Sequence, residues 1–336
     1  MKTEILDANN PEHIELCAGV IRGGGLVAFP TETVYGLGAN ALCESAVAKI
    51  FSVKGRQEDN PLIVHVASPG DVVPLVADIP DAFKLLAEAF WPGPLTMVMR
   101  KNDSVPDNVT AGLDTVAVRM PDHPAALAFI RACAVPVAAP SANPSGMVSP
   151  TRAIHVKNDL DGKILYILDG GNCRVGLEST VLDISCDIPR ILRPGGVTYN
   201  DLNSVLEVAG VEKSITSGTP RSPGMKYRHY ATKAPVTAVL GPPDRTAEYI
   251  KSHMSDNTAA LMFDDFAFDH PRVITFGSSS DYATQAACLF GALRRLDALD
   301  ISAIFVQTPA ENGLGQAVSN RIKKAAGSSV IDLDLP

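Results

Sequence analysis

Apolar positions recur at helical spacing near the start of the chain, where Ile14, Cys17, Ala18 and Ile21 predict a helix stopped by Gly23 to Gly25. The short apolar run from Leu26 to Phe29, ended by Pro30, predicts a buried strand. Val47, Ile50 and Phe51 mark a second helix ending near Gly55, and Pro61 opens an extended run from Leu62 to Val66. Asp81 to Phe90 reads as a helix closed by WPGP, and Pro124 to Cys133 as a helix with proline near its start. Extended patterns cover 95–99, 115–120, 135–139, 164–168, 180–184 and 190–192. Helices and strands do not alternate regularly, so the expected fold class is α/β with a mixed rather than purely parallel sheet.

A break follows at Val211 to Ala234, rich in Ser, Thr, Gly and Pro, which predicts a linker (211–234) between a first domain (1–210) and a second (235–336). Its SPGMKYRHY stretch is unusual for a passive spacer, because it gathers aromatic and cationic side chains. Beyond it, strand patterns at 236–240, 259–263, 273–276 and 301–306 alternate with helical patterns at 246–254, 282–296 and 315–325. That alternation predicts a small, Rossmann-like doubly wound domain. No G-x-G-x-x-G follows its first strand, so no dinucleotide is predicted there.

Composition adds limits. A length of 336 residues suits two domains, and 46% hydrophobic with 20% charged residues suits globular cores. A formal net charge of -8 argues against a protein that grips long nucleic acid, since phosphate neutralisation supplies most of that affinity. The opening residues lack a signal-peptide pattern and no apolar run is long enough to span a membrane. Cys17, Cys43, Cys133, Cys173, Cys186 and Cys288 form no CxxC pair, which fits reduced thiols in a cytoplasmic protein.

The densest polar cluster in an apolar setting is FPTETVYGLGANA, where Thr31, Glu32, Thr33 and Tyr35 follow a strand. On this stretch alone a tight turn is the preferred reading over a ligand loop, because a lone G-x-G is weak evidence. Lys54 and Arg56 flank a glycine ahead of Asn60 and Pro61, an arrangement that can hold a phosphate or merely be solvated. His65 lies in an apolar run, where a structural role is the commoner one. Thr115 and Arg119 share one face of a strand, and a charge in so apolar a strand needs a carboxylate or an anionic ligand. Ser141 and Asn143 in APSANPSG can donate to phosphate or ribose oxygens. Ser149 can do the same or cap a following helix. Ser179 precedes a strand, and Arg193 stands beside a Gly pair that favours anions. The sequence holds no P-loop, no G-x-S-x-G elbow, no H-E-x-x-H and no calcium loop. These residues suit a phosphorylated ligand and chemistry done by positioning and charge stabilisation.

In order, FPTETVYGLGANA, KGRQEDNPLIVHV, WPGPLT, VAVRMPDH, APSANPSG, LESTVLD, ILRPGG and SPGMKYRHYAT resemble the threonylcarbamoyl-AMP synthase family, in its long form with a YrdC-like domain and a C-terminal extension. Thr232 departs from the proline frequent at that place. The resemblance implies a twisted, mixed open sheet with a concave face, and synthesis of threonylcarbamoyl-AMP and pyrophosphate from L-threonine, bicarbonate and ATP with Mg²⁺ on the phosphates. A separate transfer complex would then modify tRNA beside the anticodon. The resemblance assigns Thr33, His65, Arg119 and Ser179 to threonine. It assigns Lys54, Arg56, Asn60, Thr115, Ser141, Asn143, Ser149 and Arg193 to ATP, with Lys54 and Arg56 steadying the triphosphate, and makes Tyr227 and Tyr230 candidates for a lid. A related carbamoyltransferase of hydrogenase maturation fits poorly, because the zinc-finger cysteines of that family are missing. The alternative from another class is an RNA-binding or ribosome-assembly module.

Overall fold

The computed structural model describes residues 2–212, 220–222 and 229–334, which divide into two compact units. The second unit takes Gly146–Val148, Val175–Leu177 and the described residues from His229 onward, and the first takes the rest.

In the first unit the elements run β1 (Glu4–Asp7), α1 (Pro11–Arg22), β2 (Val27–Phe29), β3 (Gly36–Asn40), α2 (Glu44–Lys54), β4 (Ile63–His65), α3 (Asp81–Phe90), β5 (Leu95–Arg100), α4 (Asp107–Thr110), β6 (Thr115–Arg119), α5 (Pro124–Cys133), β7 (Val137–Ala138), α6 (Ala153–Leu160), β8 (Tyr166–Asp169), β9 (Thr180–Asp183), β10 (Arg190–Arg193) and α7 (Tyr199–Asn203). Local chemistry sets the ends. The Asn10 side chain accepts from the Glu12 N–H to start α1, with Pro11 in its first turn. Gly55, at φ 61°, closes α2 in a left-handed cap.

The ten strands lie in the order β1-β8-β2-β3-β7-β4-β6-β5-β9-β10. β4 and β6 are parallel, β5 is antiparallel to β6, and β9 is parallel to β5. The carboxyl ends of β4 and β6 therefore meet the amino ends of β5 and β9, with His65 and Thr96 both opposite Arg119 in register.

Side chains alternate between the faces. Val64, Met97, Val118 and Leu182 point into the larger core on one face. On the other, α1 and α5 pack together with Phe29, Phe129 and Val137. A separate apolar floor of Ile63, Val98, Ala117, Val181 and Leu192 covers the strands from β4 to β10 on that side.

The second unit runs β11 (Val236–Leu240), α8 (Pro243–His253), β12 (Thr258–Met262), β13 (Val273–Thr275), α9 (Tyr282–Asp297), β14 (Ala303–Gln307), α10 (Gly315–Ala326) and β15 (Val330–Asp332). Its sheet is parallel throughout, in the order β13-β12-β14-β11-β15. Ile250 of α8 packs on Val239, Ala260 and Met262 on one face. α9 and α10 pack on each other and on the sheet. Among the described residues no helix is long and apolar enough to cross a membrane.

Four strands depart from the sequence expectation. β3 occupies the glycine-rich stretch read as a turn, β1 and β15 were not anticipated, and the run at 135–139 contributes only Val137 and Ala138 to the sheet.

Candidate active site

Arg119 ends β6 and is 3% exposed, so its charge must be met locally. Nη1 donates to Thr33 Oγ1 at 2.9 Å, Nε donates to the Gly93 carbonyl at 3.3 Å, and Nη2 lies 2.6 Å from Glu32 Oε1. The loop after β2 and the WPGP turn before β5 thus both close on one guanidinium. Thr33 is itself fixed by Thr31, whose hydroxyl lies 2.9 Å away and also donates to the Val34 carbonyl.

Next to Arg119, Thr96 Oγ1 lies 2.8 Å from Ser179 Oγ. Arg193 grips the same serine: Nε and Nη2 donate to its carbonyl at 3.1 and 2.9 Å, and Nη2 donates to its hydroxyl at 3.2 Å. The ILRPGG turn lies flat here because Gly195 has no side chain, and a Cβ on it would sit 2.3 Å from the Thr180 nitrogen.

A second cluster forms around APSANPSG. Lys54 is buried, and its Nζ donates to the Ser141 carbonyl at 2.5 Å and to the Asn143 carbonyl. Burial and then the neighbouring Arg56 hold its pKa well below the usual lysine range. Arg56 donates through Nε and Nη2 to the Asn60 carbonyl and through Nη2 to the Pro61 carbonyl. Two of the three N–H donors of its ammonium thus hold backbone carbonyls and fix the loop. The two clusters are neighbours: Ser141 pairs with Gly36, and Ala142 N–H donates to the Tyr35 carbonyl, just beyond Thr33.

His65 is 4% exposed, edge-on to Phe29 at 5.8 Å, and its Nδ1 has no hydrogen-bond partner. Burial, reinforced by Arg119, pushes its pKa down to about 3, so it stands neutral. A base that weak is ill-matched to taking a proton from an amine. Thr115 lies at the far end of β6, opposite Arg100 and about 13 Å along the strand from Arg119, on the Asn60–Pro61 side of the sheet. Ser149 caps no helix, since α6 begins at Ala153 behind Arg152, and its hydroxyl instead donates to Glu178 Oε1 at 2.6 Å.

Tyr227 lies outside the described residues. Tyr230 is 4% exposed in the second unit, stacked on Phe290 at 5.0 Å, so it is a packed anchor rather than a free lid side chain. Of the linker, Arg221 lies 3.2 Å from Asp183 of β9, whose side chain shares a face with Ser179 and Val181.

Sequence reasoning gave no role to Glu32, Thr96 or Glu178. All three stand in motifs that were singled out, PTET, WPGPLT and LEST, but contact with partners many residues away gave each its place.

Fold and site define a class: an α/β protein that sets buried arginines and hydroxyls along one edge of an open mixed sheet, where small anionic ligands can be held. Comparison with known proteins narrows it. Residues 19–195 match the Sua5–YciO–YrdC family, described as telomere recombination, and residues 197–327 match the threonylcarbamoyl-AMP synthase C-terminal domain. The chain is 46% identical over 325 residues to a threonylcarbamoyl-AMP synthase of Pyrococcus abyssi, covering 95% of each. It is 45% identical over 336 residues to that of Bacillus subtilis, covering 98% of this chain and 97% of the relative. The crystal structure of P. abyssi Sua5 complexed with L-threonine superposes with a TM-score of 0.92 at 43% identity, covering 98% of this chain and all of that one. The chain belongs to the threonylcarbamoyl-AMP synthase family, in its two-domain form.

Proposed function

We propose that this chain joins L-threonine, bicarbonate and ATP into threonylcarbamoyl-AMP and pyrophosphate, the activated intermediate for threonylcarbamoyladenosine in tRNA. The observation that carries the reading is the closure of Thr33, Glu32 and the Gly93 carbonyl on Arg119, beside the Thr96–Ser179–Arg193 chain. That edge offers a carboxylate-binding arginine with hydroxyls around it, the chemistry a small hydroxy amino acid asks for.

Threonine's amine takes up CO2 derived from bicarbonate, losing a proton to form an N-carboxylate. A carboxylate oxygen then attacks the α-phosphorus of ATP, the bond to the bridging β-phosphate oxygen breaks, and pyrophosphate leaves. Arg119 and Thr33 orient the amino acid, with Ser179 beside them. His65, neutral, walls the site next to Phe29. Arg56, Asn60, Ser141, Asn143, Ser149 and Arg193 are assigned to the nucleotide, and Thr115 to its outer end. Lys54 acts through the Ser141–Asn143 loop it tethers. The step is bond exchange between substrates, so holding them in line and stabilising charge supplies the catalysis.

Mg²⁺ belongs with ATP in such chemistry, where it neutralises phosphate charge. Among the described residues no three His, Cys, Asp or Glu side chains converge to hold a metal ion. The ion is assigned to the nucleotide through its phosphates, and the chain's own part is to orient the substrates. The Arg221–Asp183 contact puts one described residue of the linker beside β9, which supports keeping Tyr227 as the lid candidate. A cytoplasmic location and hand-over to a tRNA-transfer complex complete the reading.

The test is pyrophosphate release with ATP, Mg²⁺, threonine and bicarbonate, omitting each in turn, with Arg119→Ala alongside. Release that needs both threonine and bicarbonate and collapses in the variant is expected. Release indifferent to threonine sinks the reading and brings forward tight, salt-sensitive RNA binding.

A further inference from the structure

Four buried hydroxyls stand beside Arg119 in two pairs, Thr31 with Thr33 at 2.9 Å and Thr96 with Ser179 at 2.8 Å. A hydroxyl has one proton to donate and two lone pairs to accept with, so counting partners fixes which way each proton points. The Thr31 proton goes to the Val34 carbonyl at 2.6 Å. Thr31 Oγ1 can then only accept, and it faces the Thr33 and Val34 N–H groups, each at 3.2 Å, as well as the Thr33 hydroxyl. The Thr33 proton is therefore committed to Thr31. Thr33 Oγ1 accepts from Arg119 Nη1 at 2.9 Å, which leaves one lone pair for a ligand.

The second pair has the opposite outcome. Ser179 Oγ already accepts from Arg193 Nη2 at 3.2 Å. Thr96 and Ser179 hold two hydroxyl protons between them and share one contact, so one proton is left over. Thr96 is fully buried in β5, opposite Arg119, and has no other acceptor among the described residues. A proton left on Thr96 stays unpaired whether or not a ligand is bound, whereas one left on Ser179 is available to it. A ligand acceptor at Ser179 thus selects the arrangement in which Thr96 donates to Ser179 and Ser179 donates outward. Each bond in such a chain strengthens the next.

We propose that Thr31 and Thr96 are positioning residues that set the polarity of the amino-acid subsite, Thr31 holding Thr33 as an acceptor and Thr96 holding Ser179 as a donor. This rests on the proposed places of Thr33 and Ser179 at threonine. An amino acid whose carboxylate meets Arg119 brings donors on its nitrogen and acceptors on its oxygens, which is the complementary set. Thr31 and Thr96 act through their neighbours, so their effects must vanish when those neighbours lose their hydroxyls.

The experiment measures pyrophosphate release by the full chain, with threonine varied at saturating ATP and ATP varied at saturating threonine. The proteins are wild type, Thr96→Val, Thr96→Ser, Ser179→Ala and the double variant of Thr96→Val with Ser179→Ala, each with its thermal unfolding. Thr96→Val is expected to raise the KM for threonine roughly fivefold and to leave the KM for ATP within about twofold, and Thr96→Ser to recover most of the loss. In the Ser179→Ala background Thr96→Val should add nothing further. A merely structural threonine would lower the unfolding temperature with both KM values in place, or would add its full effect to that of Ser179→Ala, and either result overturns the proposal for this pair. The same cycle with Thr31→Val and Thr33→Val should close in the same way, and additive effects there overturn the ordering at Thr33. An unchanged KM for threonine in Ser179→Ala overturns the ordering at Ser179 while threonine-dependent release still upholds the proposed function. Release indifferent to threonine overturns both.

Discussion

Arg119 and Glu32 form an ion pair at 2.6 Å in which neither side chain is more than 4% exposed. A pair so deeply buried is held in place by geometry more than by its net energy, and removing one partner leaves the other as an uncompensated charge. Among the described residues neither Glu32 carboxylate oxygen has a hydrogen-bond donor, so there the carboxylate depends on this one contact.

Arg119→Met should therefore cost about 3–5 kcal/mol, a fall of roughly 10 °C in unfolding temperature, together with the loss of threonine-dependent pyrophosphate release. Adding Glu32→Leu should restore most of the stability and none of the activity. Thermal unfolding of the single and double variants checks this. A double variant no more stable than the single one contradicts the reading of Glu32 as a stranded charge.

The pH dependence of stability follows from His65. Its folded pKa, about 3, lies below the ordinary value of 6.5, so the unfolded chain binds the extra proton between them. The stabilising contribution is complete above about pH 6.5 and is lost as pH falls toward 3. His123, also lowered by burial, acts in the same direction. Unfolding temperatures measured from pH 7.5 down to 5 should drop less steeply in His65→Gln than in wild type. Equal slopes would mean that His65 is not held neutral.

Gly195→Ala tests the turn that seats Arg193. A Cβ there meets the backbone of Thr180, Ser179 and Glu178 at 2.3 to 2.5 Å, so the turn or β9 must move. Activity should fall at least tenfold with a raised KM for threonine, whereas Gly55→Asn, at a left-handed cap with open space around it, should keep near-normal kinetics. Similar kinetics in both variants would remove the turn from the site.

How much of this was legible beforehand differs by residue. Arg119 stood out because a charge in an apolar strand demands a partner. Its partner did not, since Glu32 reaches it only through the pairing of distant strands. β3 was misread because GLGAN carries no alternating apolar pattern. Its glycines read as punctuation, yet they are there for packing: a Cβ on Gly38 would lie 2.8 Å from the Val137 side chain, and one on Gly36 3.1 Å from the Phe29 ring. The short edge strand β1 gave too weak a signal to register. Lys54 was visible as a cation beside a glycine, but its two carbonyl partners arrive from β7 and beyond, and only the fold brings them there.

Lys54 is the residue where the two possible uses of a cation part company. A lysine that contacts phosphate acts through its charge, so arginine would be a partial substitute. A lysine whose Nζ fills a buried space between the Ser141 and Asn143 carbonyls acts through its size and donors, and a guanidinium there is too large. Lys54→Arg should then disturb the APSANPSG loop nearly as much as Lys54→Met does, raising the KM for ATP at least tenfold and destabilising the fold by about 1–3 kcal/mol for overpacking or for orphaned carbonyls. Kinetics with ATP varied, read beside chemical unfolding of both variants, decide between the two uses. Lys54→Arg with wild-type stability and KM would mean that the ammonium is free to meet phosphate after all.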